Sequence, residues 1–235
     1  MNASASPLRA SSRAGFEHDL LITAGPTHEP IDAVRYVANR SSGRLGIALA
    51  DAAVDRGLSV LLLLGPTHLT PADPRVQTVR FQSVADLQRL LKRHFRKSRT
   101  LVMAAAVADY TPITPPAARS GKLRRTASGL VLRLRPTPDL LAGIAAARRP
   151  GQTVVGFALE PASRLLRSAR EKLRRKSLDA IVANELRTMD SPTISATLIL
   201  ADGTTQATPK SMPKADFARW LLDRLPDART TRPLP

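Results

Sequence analysis

Short apolar runs separated by amphipathic stretches constrain this chain more than any other feature. Leu20 to Ile22, Leu58 to Leu64, Thr100 to Ala106, Thr153 to Ala158 and Asp179 to Ala183 are strand-sized and apolar almost throughout. Strands buried on both faces of a parallel sheet read in this way. Between the first two runs, Leu45, Ile47, Ala48, Leu49 and Ala52 mark one face of a helix. Further helices are predicted from a Ser83 cap to about Phe95, from Pro138 in a first turn capped by Thr137 to about Ala147, and over Ser163 to Arg175. Val76 to Phe81 alternates with period two, as a strand does. The β-α-β rhythm predicts an α/β, Rossmann-like, mostly parallel sheet flanked by helices, with binding groups at the C-terminal strand ends. The stretch Ala104 to Tyr110 falls at such an end.

Two segments break the rhythm. Residues 110–125, YTPITPPAARSGKLRR, carry three prolines and read as an excursion from the sheet, a flap bearing Lys122, with a strand over Leu130 to Leu134. Ala196 to Leu200 and Gln206 to Thr208, joined by Asp202-Gly203, read as a C-terminal β-hairpin. Pro213 to Leu225 is an amphipathic last helix, with Phe217, Trp220, Leu221 and Leu225 on one face.

The chain of 235 residues is 43% hydrophobic, enough for one core, so a single domain over 19–225 is expected. Residues 1–18, rich in Ser, Ala and Arg, read as a disordered tail without a signal-peptide stretch, and 226–235 as a frayed end. No apolar run approaches the roughly 20 residues of a membrane helix. The absence of Cys excludes disulfides, thiolate metal sites and a cysteine nucleophile, and fits a cytoplasmic setting. A net charge of +17 invites a nucleic-acid reading, but aromatics are only 3% and stacking platforms are missing, so nucleic acid is not the expected partner. The same field would attract small phosphorylated substrates.

Residues 22–46, ITAGPTHEPIDAVRYVANRSSGRLG, place a glycine turn and the Ser41-Ser42-Gly43 step between a strand and a helix. Free amides at that helix start would meet an anion. Neither GxGxxG nor GxxxxGK[ST] is present, so the pattern alone says anion-binding turn or plain connection. Four His without ligand spacing and no Ser-His-Asp arrangement leave no standard hydrolytic centre.

AGPTHEPIDAVRYVANRSSG, followed in order by MAAAVADYTP, SGKLRR, TPDLL, VVGFALE and EKLRRKSLDAIVAN, resembles the phosphopantothenate-cysteine ligase family. The resemblance runs from about Leu20 to about Leu225. It implies condensation of 4'-phosphopantothenate with L-cysteine through an acyl-nucleotidyl intermediate, with CTP, or ATP, as co-substrate together with Mg²⁺. It also implies a homodimer and a separate flavin-dependent decarboxylase acting on the product. An ATP-dependent ligase of the same fold and a non-catalytic basic nucleotide-binding module are the alternatives.

By the same resemblance Asn39 handles the acyl group and Lys122 reaches the triphosphate from the flap; the planar guanidinium of Arg35, four residues before Asn39, suits bidentate grip of a carboxylate or phosphate. Met103, Ala104, Ala105 and Asp109 contact the nucleotide, Asp109 doubling as a candidate Mg²⁺ ligand. Pro138, Asp139, Leu140, Leu141 and Phe157 join them, and Lys172 and Lys176 take the triphosphate. Read without the family, Asn39 suits a turn, Arg35 a surface ion pair, Asp109 a cap, and the two lysines a solvated helix face. The chain departs from the family at His28, Arg124, Thr137 and Pro161, and in MDSPTISATL, 189–198, where a Gly-rich loop with Asn is expected.

Overall fold

A computed structural model describes residues 15–113, 121–127, 129–189 and 191–225. Strand β1 (His18–Ala24) opens the sheet, and Glu17 is already tied to it through its amide to the Lys97 carbonyl at 2.7 Å. The tail expected over 1–18 therefore overlaps the first strand; residues 1–14 and 226–235 lie outside the described residues. After β1 come a small ribbon, β2 (His28–Pro30) with β3 (Tyr36–Ala38), then helix α1 (Arg44–Val54) and strand β4 (Val60–Leu64). Next are β5 (Gln77–Arg80), α2 (Val84–His94) and β6 (Ser98–Met103). Ser83 caps α2 as predicted, within a full capping box closed by Asp86.

A second ribbon pairs β7 (Tyr110–Pro112) with β8 (Leu134–Pro136). The strand expected over Leu130 to Leu134 is thus displaced to the residues that can reach Tyr110, and 114–120 of the flap lie outside the described residues. Helix α3 (Leu140–Ala146) starts later than predicted: Asp139, not Thr137, is its cap, accepting from the Ala142 amide at 3.1 Å. Thr137 donates its hydroxyl to the Ala108 carbonyl instead. Then follow β9 (Thr153–Glu160), α4 (Leu165–Arg175) and β10 (Ala180–Glu185). A minor pair, β11 (Thr193–Ile194) with β14 (Met212–Pro213), brackets the hairpin of β12 (Ala196–Leu200) and β13 (Thr205–Ala207), and α5 (Lys214–Leu222) closes the fold.

The eight-stranded sheet has the order β13-β12-β10-β9-β6-β1-β4-β5. From β10 to β5 all neighbours are parallel, and the hairpin adds two antiparallel strands at one edge. Taken in chain order, these six parallel strands lie third, second, first, fourth, fifth, sixth across the sheet. That is the doubly wound, Rossmann-like order, whose direction reverses between β1 and β6. The expected α/β fold is borne out.

Alternation along β1 sorts the helices. Leu20, Ile22 and Ala24 face a core shared with Ile47 and Leu49 of α1 and Phe217 and Leu221 of α5. Leu21 faces the opposite core with Leu87 of α2, Leu140, Leu141 and Ile144 of α3, and Leu173 of α4. Arg56, just past α1, donates to the Arg219 carbonyl at 3.0 Å and pairs with Asp223 at 2.8 Å. The C-terminal ends of α1 and α5 therefore lie together, and the two helices run alongside in the same direction.

Candidate active site

A cleft of about 810 Å³ opens where β1, β6 and β9 end, at the point where strand order reverses. On one side stand Asn39 to Gly46, on the other Asp139, Leu141, Lys172 and Lys176, with Met103 to Val107, Asp109 and Phe157 between them. Because α1 covers one face of the sheet and α3 and α4 the other, the cleft straddles the sheet edge.

The α1 side is an amide cradle. Gly43 occupies the cap position with φ 74°, and no side chain caps the helix, so the first-turn amides remain open to an acceptor. The Ser42 carbonyl is fixed by the Thr67 hydroxyl at 2.8 Å. Glycine at 43 serves both its left-handed φ and its approach to Gly25, whose Cα would lie 3.3 Å from an added Cβ. At Gly46 an added Cβ would stand 2.5 Å from the Ala24 Cβ, so the helix start presses against the end of β1.

The opposite side is cationic. Lys172 donates to the Phe157 carbonyl at 2.7 Å, and Lys176 to Asp139 at 2.8 Å. An ammonium has three donors, so each lysine keeps capacity for a ligand. Burial, followed by the charge of Lys176, pushes Lys172 below the ordinary lysine range, and the carboxylates of Asp139, Asp109 and Glu160 oppose the shift. Burial pushes the Asp139 carboxyl up, but the bonds from Lys176 and the Ala142 amide, with the charges of both lysines, leave it below its usual value.

Asn39, on the α1 side, reaches toward the middle of the cleft and donates its amide to the Val107 carbonyl at 3.0 Å. Among the described residues no three His, Cys, Asp or Glu side chains gather as a metal site. The acids on the cleft are Asp109, Asp139 and Glu160, and Asp139 is engaged by Lys176. Mg²⁺ commonly takes one or two carboxylates and completes its shell with substrate phosphates; Asp109 and Glu160 fit that donor set.

The structure thus brings thirteen expected site residues to one cleft: Asn39, Ser41, Ser42, Gly43, Met103, Ala104, Ala105, Asp109, Asp139, Leu141, Phe157, Lys172 and Lys176. Four others do not line it. Leu140 is buried in the core beneath α3, and Pro138 only leads into that helix. Arg35 commits its guanidinium to Asp32 and to the Leu123 carbonyl, the latter at 2.9 Å. This is the ion-pair reading of Arg35, with an added tether: Asp32 also accepts from the Leu123 amide at 3.0 Å, next to an exposed Lys122. The Arg35 guanidinium holds the Asp32 carboxyl well below the usual carboxylate range, against desolvation and with help from the Val34, Arg35 and Leu123 amides.

Sequence reasoning missed several lining residues: Arg40, Arg44, Arg175, Glu160, Asn184 and Lys214. Arg40 and Arg44 flank the Ser-Ser-Gly step and could have been read with it. Lys214 carried no signal, because its place depends on the β11–β14 pair, formed partly by the atypical 189–198 segment.

Known proteins share this sequence pattern and fold. A curated relative of unknown prokaryotic origin, named cysteine/cysteine sulfinic acid decarboxylase, is 43% identical over 168 residues, 72% of this chain and 46% of its own length. The coenzyme A biosynthesis bifunctional protein CoaBC of Escherichia coli (strain K12) is 38% identical over 168 residues, 72% of this chain and 41% of its own. The chain therefore spans less than half the length of these relatives. A crystal structure of the C-terminal domain of a CoaBC protein superposes with a TM-score of 0.74 at 32% identity, over 89% of this chain and 94% of that one. The family resemblance read from the sequence is borne out: with residues 16–228 matched, the chain belongs to the family described as the DNA/pantothenate metabolism flavoprotein C-terminal domain.

Proposed function

We propose that this chain is a nucleotide-dependent ligase of coenzyme A biosynthesis, joining 4'-phosphopantothenate to L-cysteine with CTP as the preferred co-substrate. The observation that carries this reading is the cleft that straddles the sheet edge, with open helix amides on one side and Lys172 and Lys176 on the other. Two separate anionic groups can be held there with their reacting ends meeting over Met103 to Val107.

A carboxylate does not expel oxide, so the substrate carboxylate first attacks the α-phosphorus of the nucleotide. The bond to the bridging oxygen breaks, and pyrophosphate leaves with the electron pair. Lys172 and Lys176 neutralise the charge that builds on the leaving group. The cysteine amine then attacks the acyl carbon, nucleoside monophosphate departs, and the amine proton passes to solvent. Asn39 can donate to the acyl oxygen as the amine adds, once its bond to Val107 is exchanged for the substrate. Ser41, Ser42 and Gly43 hold the substrate phosphate, and small side chains at Ala104 and Ala105 let the nucleotide approach the backbone. When bound, Mg²⁺ would be held by Asp109 and Glu160 and would supply charge neutralisation of the phosphates.

Arg35 and Lys122 act, in this reading, from outside the cleft wall, with the tether to Asp32 and Leu123 setting where Lys122 stands. Apolar side chains left exposed around the two ribbons, Val34, Tyr36, Tyr110 and Ile113, support a homodimer formed through them. Among the described residues no helix is long and apolar enough to cross a membrane, which accords with a cytoplasmic enzyme. The bifunctional name of the CoaBC relatives supports a functionally linked second activity, for which we infer a flavin-dependent decarboxylase.

Pyrophosphate release, measured with 4'-phosphopantothenate and L-cysteine and with CTP and ATP in turn, tests the reading. Activity with CTP at lower concentrations than ATP is expected; no release with either refutes it. Asn39→Ala should lower kcat by about 10²–10³-fold with nucleotide affinity nearly unchanged.

A further inference from the structure

We propose that Thr27, assisted by Thr137, is a positioning residue of this site: together they hold the loop on which Asn39 and Asp109 both depend. Neither threonine lines the cleft, so neither touches a reactant. The inference rests on the ligase reading above for its consequence, and on hydrogen bonds for its geometry.

After β6 ends at Met103, the chain runs from Ala104 to Asp109 without belonging to a strand, apart from one bridge between Ala106 and Pro26. Buried backbone groups need partners. Here they find them almost entirely at the end of β1, in the segment that follows it and in Thr137. The Ala104 amide donates to the Thr23 carbonyl at 3.2 Å, the Ala105 amide to the Thr23 hydroxyl at 3.1 Å, and the Ala106 amide to the Gly25 carbonyl at 2.9 Å. The Thr27 amide donates to the Ala106 carbonyl at 3.2 Å, and the Thr27 hydroxyl accepts from the Ala108 amide at 3.0 Å. Thr137 closes the loop from the other side. Its hydroxyl donates to the Ala108 carbonyl at 2.6 Å and its amide to the Asp109 carbonyl at 2.9 Å.

Each end of the Ala108 residue is therefore held by a different threonine hydroxyl, one buried at 0% exposure. On its N-terminal side the Val107 carbonyl receives Asn39, and on its C-terminal side Asp109 enters the cleft. A rotation of the peptides around Ala108 would move the resting partner of Asn39 and the carboxylate of Asp109 at once. Asn39 and Asp109 come from distant parts of the chain, and this loop is the piece of backbone they share.

Thr27→Val tests the idea, since it keeps the branched shape and removes the acceptor from a buried amide; Thr27→Ser restores the oxygen without the methyl. Two readouts are needed. Amide hydrogen exchange across residues 104–109 should quicken at least tenfold in Thr27→Val and return toward wild type in Thr27→Ser. Calorimetric affinity for CTP with Mg²⁺ should fall about tenfold in Thr27→Val and recover in Thr27→Ser. In a double-mutant cycle, Asp109→Ala should cost much less in the Thr27→Val background than in wild type. Faster exchange with CTP affinity unchanged within twofold would overturn the proposal, because the threonine would then be holding only structure. If Thr27→Val fails to fold, Thr137→Val carries the same decision from the other, half-buried side of the loop, with a smaller loss expected and unchanged affinity again overturning it. A wild-type protein that binds neither CTP nor ATP would remove the ligase reading and the proposal together. That outcome is distinct from a wild type that binds and a Thr27→Val variant that binds equally well.

Discussion

In the parallel sheet, Leu21, Ile22, Leu62 and Leu101 are fully enclosed between two helical layers, whereas in and around the β2–β3 and β7–β8 ribbons Tyr36 and Val131 are 52% and 85% exposed. The sheet closes its own apolar surface. The ribbons commit their polar groups to internal ties, such as Asp32 with Arg35 and Leu123, and leave apolar side chains outside. Stability therefore resides in the sheet, and the ribbons are attached by hydrogen bonds and charge.

The largest effect should come from the sheet. Leu101→Ala, in a strand with neighbours on both sides, is expected to lower unfolding stability by about 2–5 kcal/mol, read from urea denaturation. Val131→Ala should stay within about 0.5 kcal/mol. A Val131 variant as costly as the core one would break the contrast and mean that the ribbons are covered in solution.

Next comes Lys172, which reaches from α4 to the Phe157 carbonyl within β9. Lys172→Met should weaken CTP binding about tenfold or more, measured by calorimetry, and an unchanged value would return this lysine to a purely structural role. Binding should also weaken with rising pH, because only the ammonium attracts phosphate. The decline should begin below the ordinary lysine pKa of about 10.4, since burial favours the neutral amine. In Lys172→Met that alkaline decline should disappear.

Much of this was legible in the residues. β4 reads as five consecutive apolar residues because helices cover both its faces, and α2 announces itself through Ser83 and Asp86. The cradle at Ser41 to Gly43 was legible because it is continuous in sequence. By contrast, the cap of α3 was misplaced at Thr137. A threonine before a proline satisfies the local rule, yet this hydroxyl is drawn to Ala108, 29 residues earlier in the chain. Arg35 stands off the cleft for a similar reason: its tether to Leu123 lies 88 residues away. Local rules describe positions whose partners are local, and the ribbons are held mostly by remote ones.

A smaller effect sharpens the contrast at the ribbon tether. The Asp32 carboxyl is depressed in the folded state by Arg35, so its stabilisation is complete above the unfolded value near about 3.9. It is lost as pH falls through the lower folded value. Amide exchange at Ala33 and Leu123 should quicken on acidification below about pH 4, and Asp32→Asn should remove most of that pH dependence. Equal pH dependence in the variant would locate the acid sensitivity elsewhere. Arg89→Ala on the outer face of α2 removes a solvent-facing pair with Asp86 and should likewise change stability little, by less than about 0.5 kcal/mol.

The division of the cleft by the ends of β6 and β9 has an evolutionary corollary. A change in α4 or α3 touches only what is held on one flank of the sheet, and a change before α1 only what is held on the other. In the ligase reading proposed above, preference for the activating nucleotide and preference for the phosphorylated acid can therefore drift separately, each through its own few helix positions, while the strand ends between them keep the meeting place of the two molecules fixed.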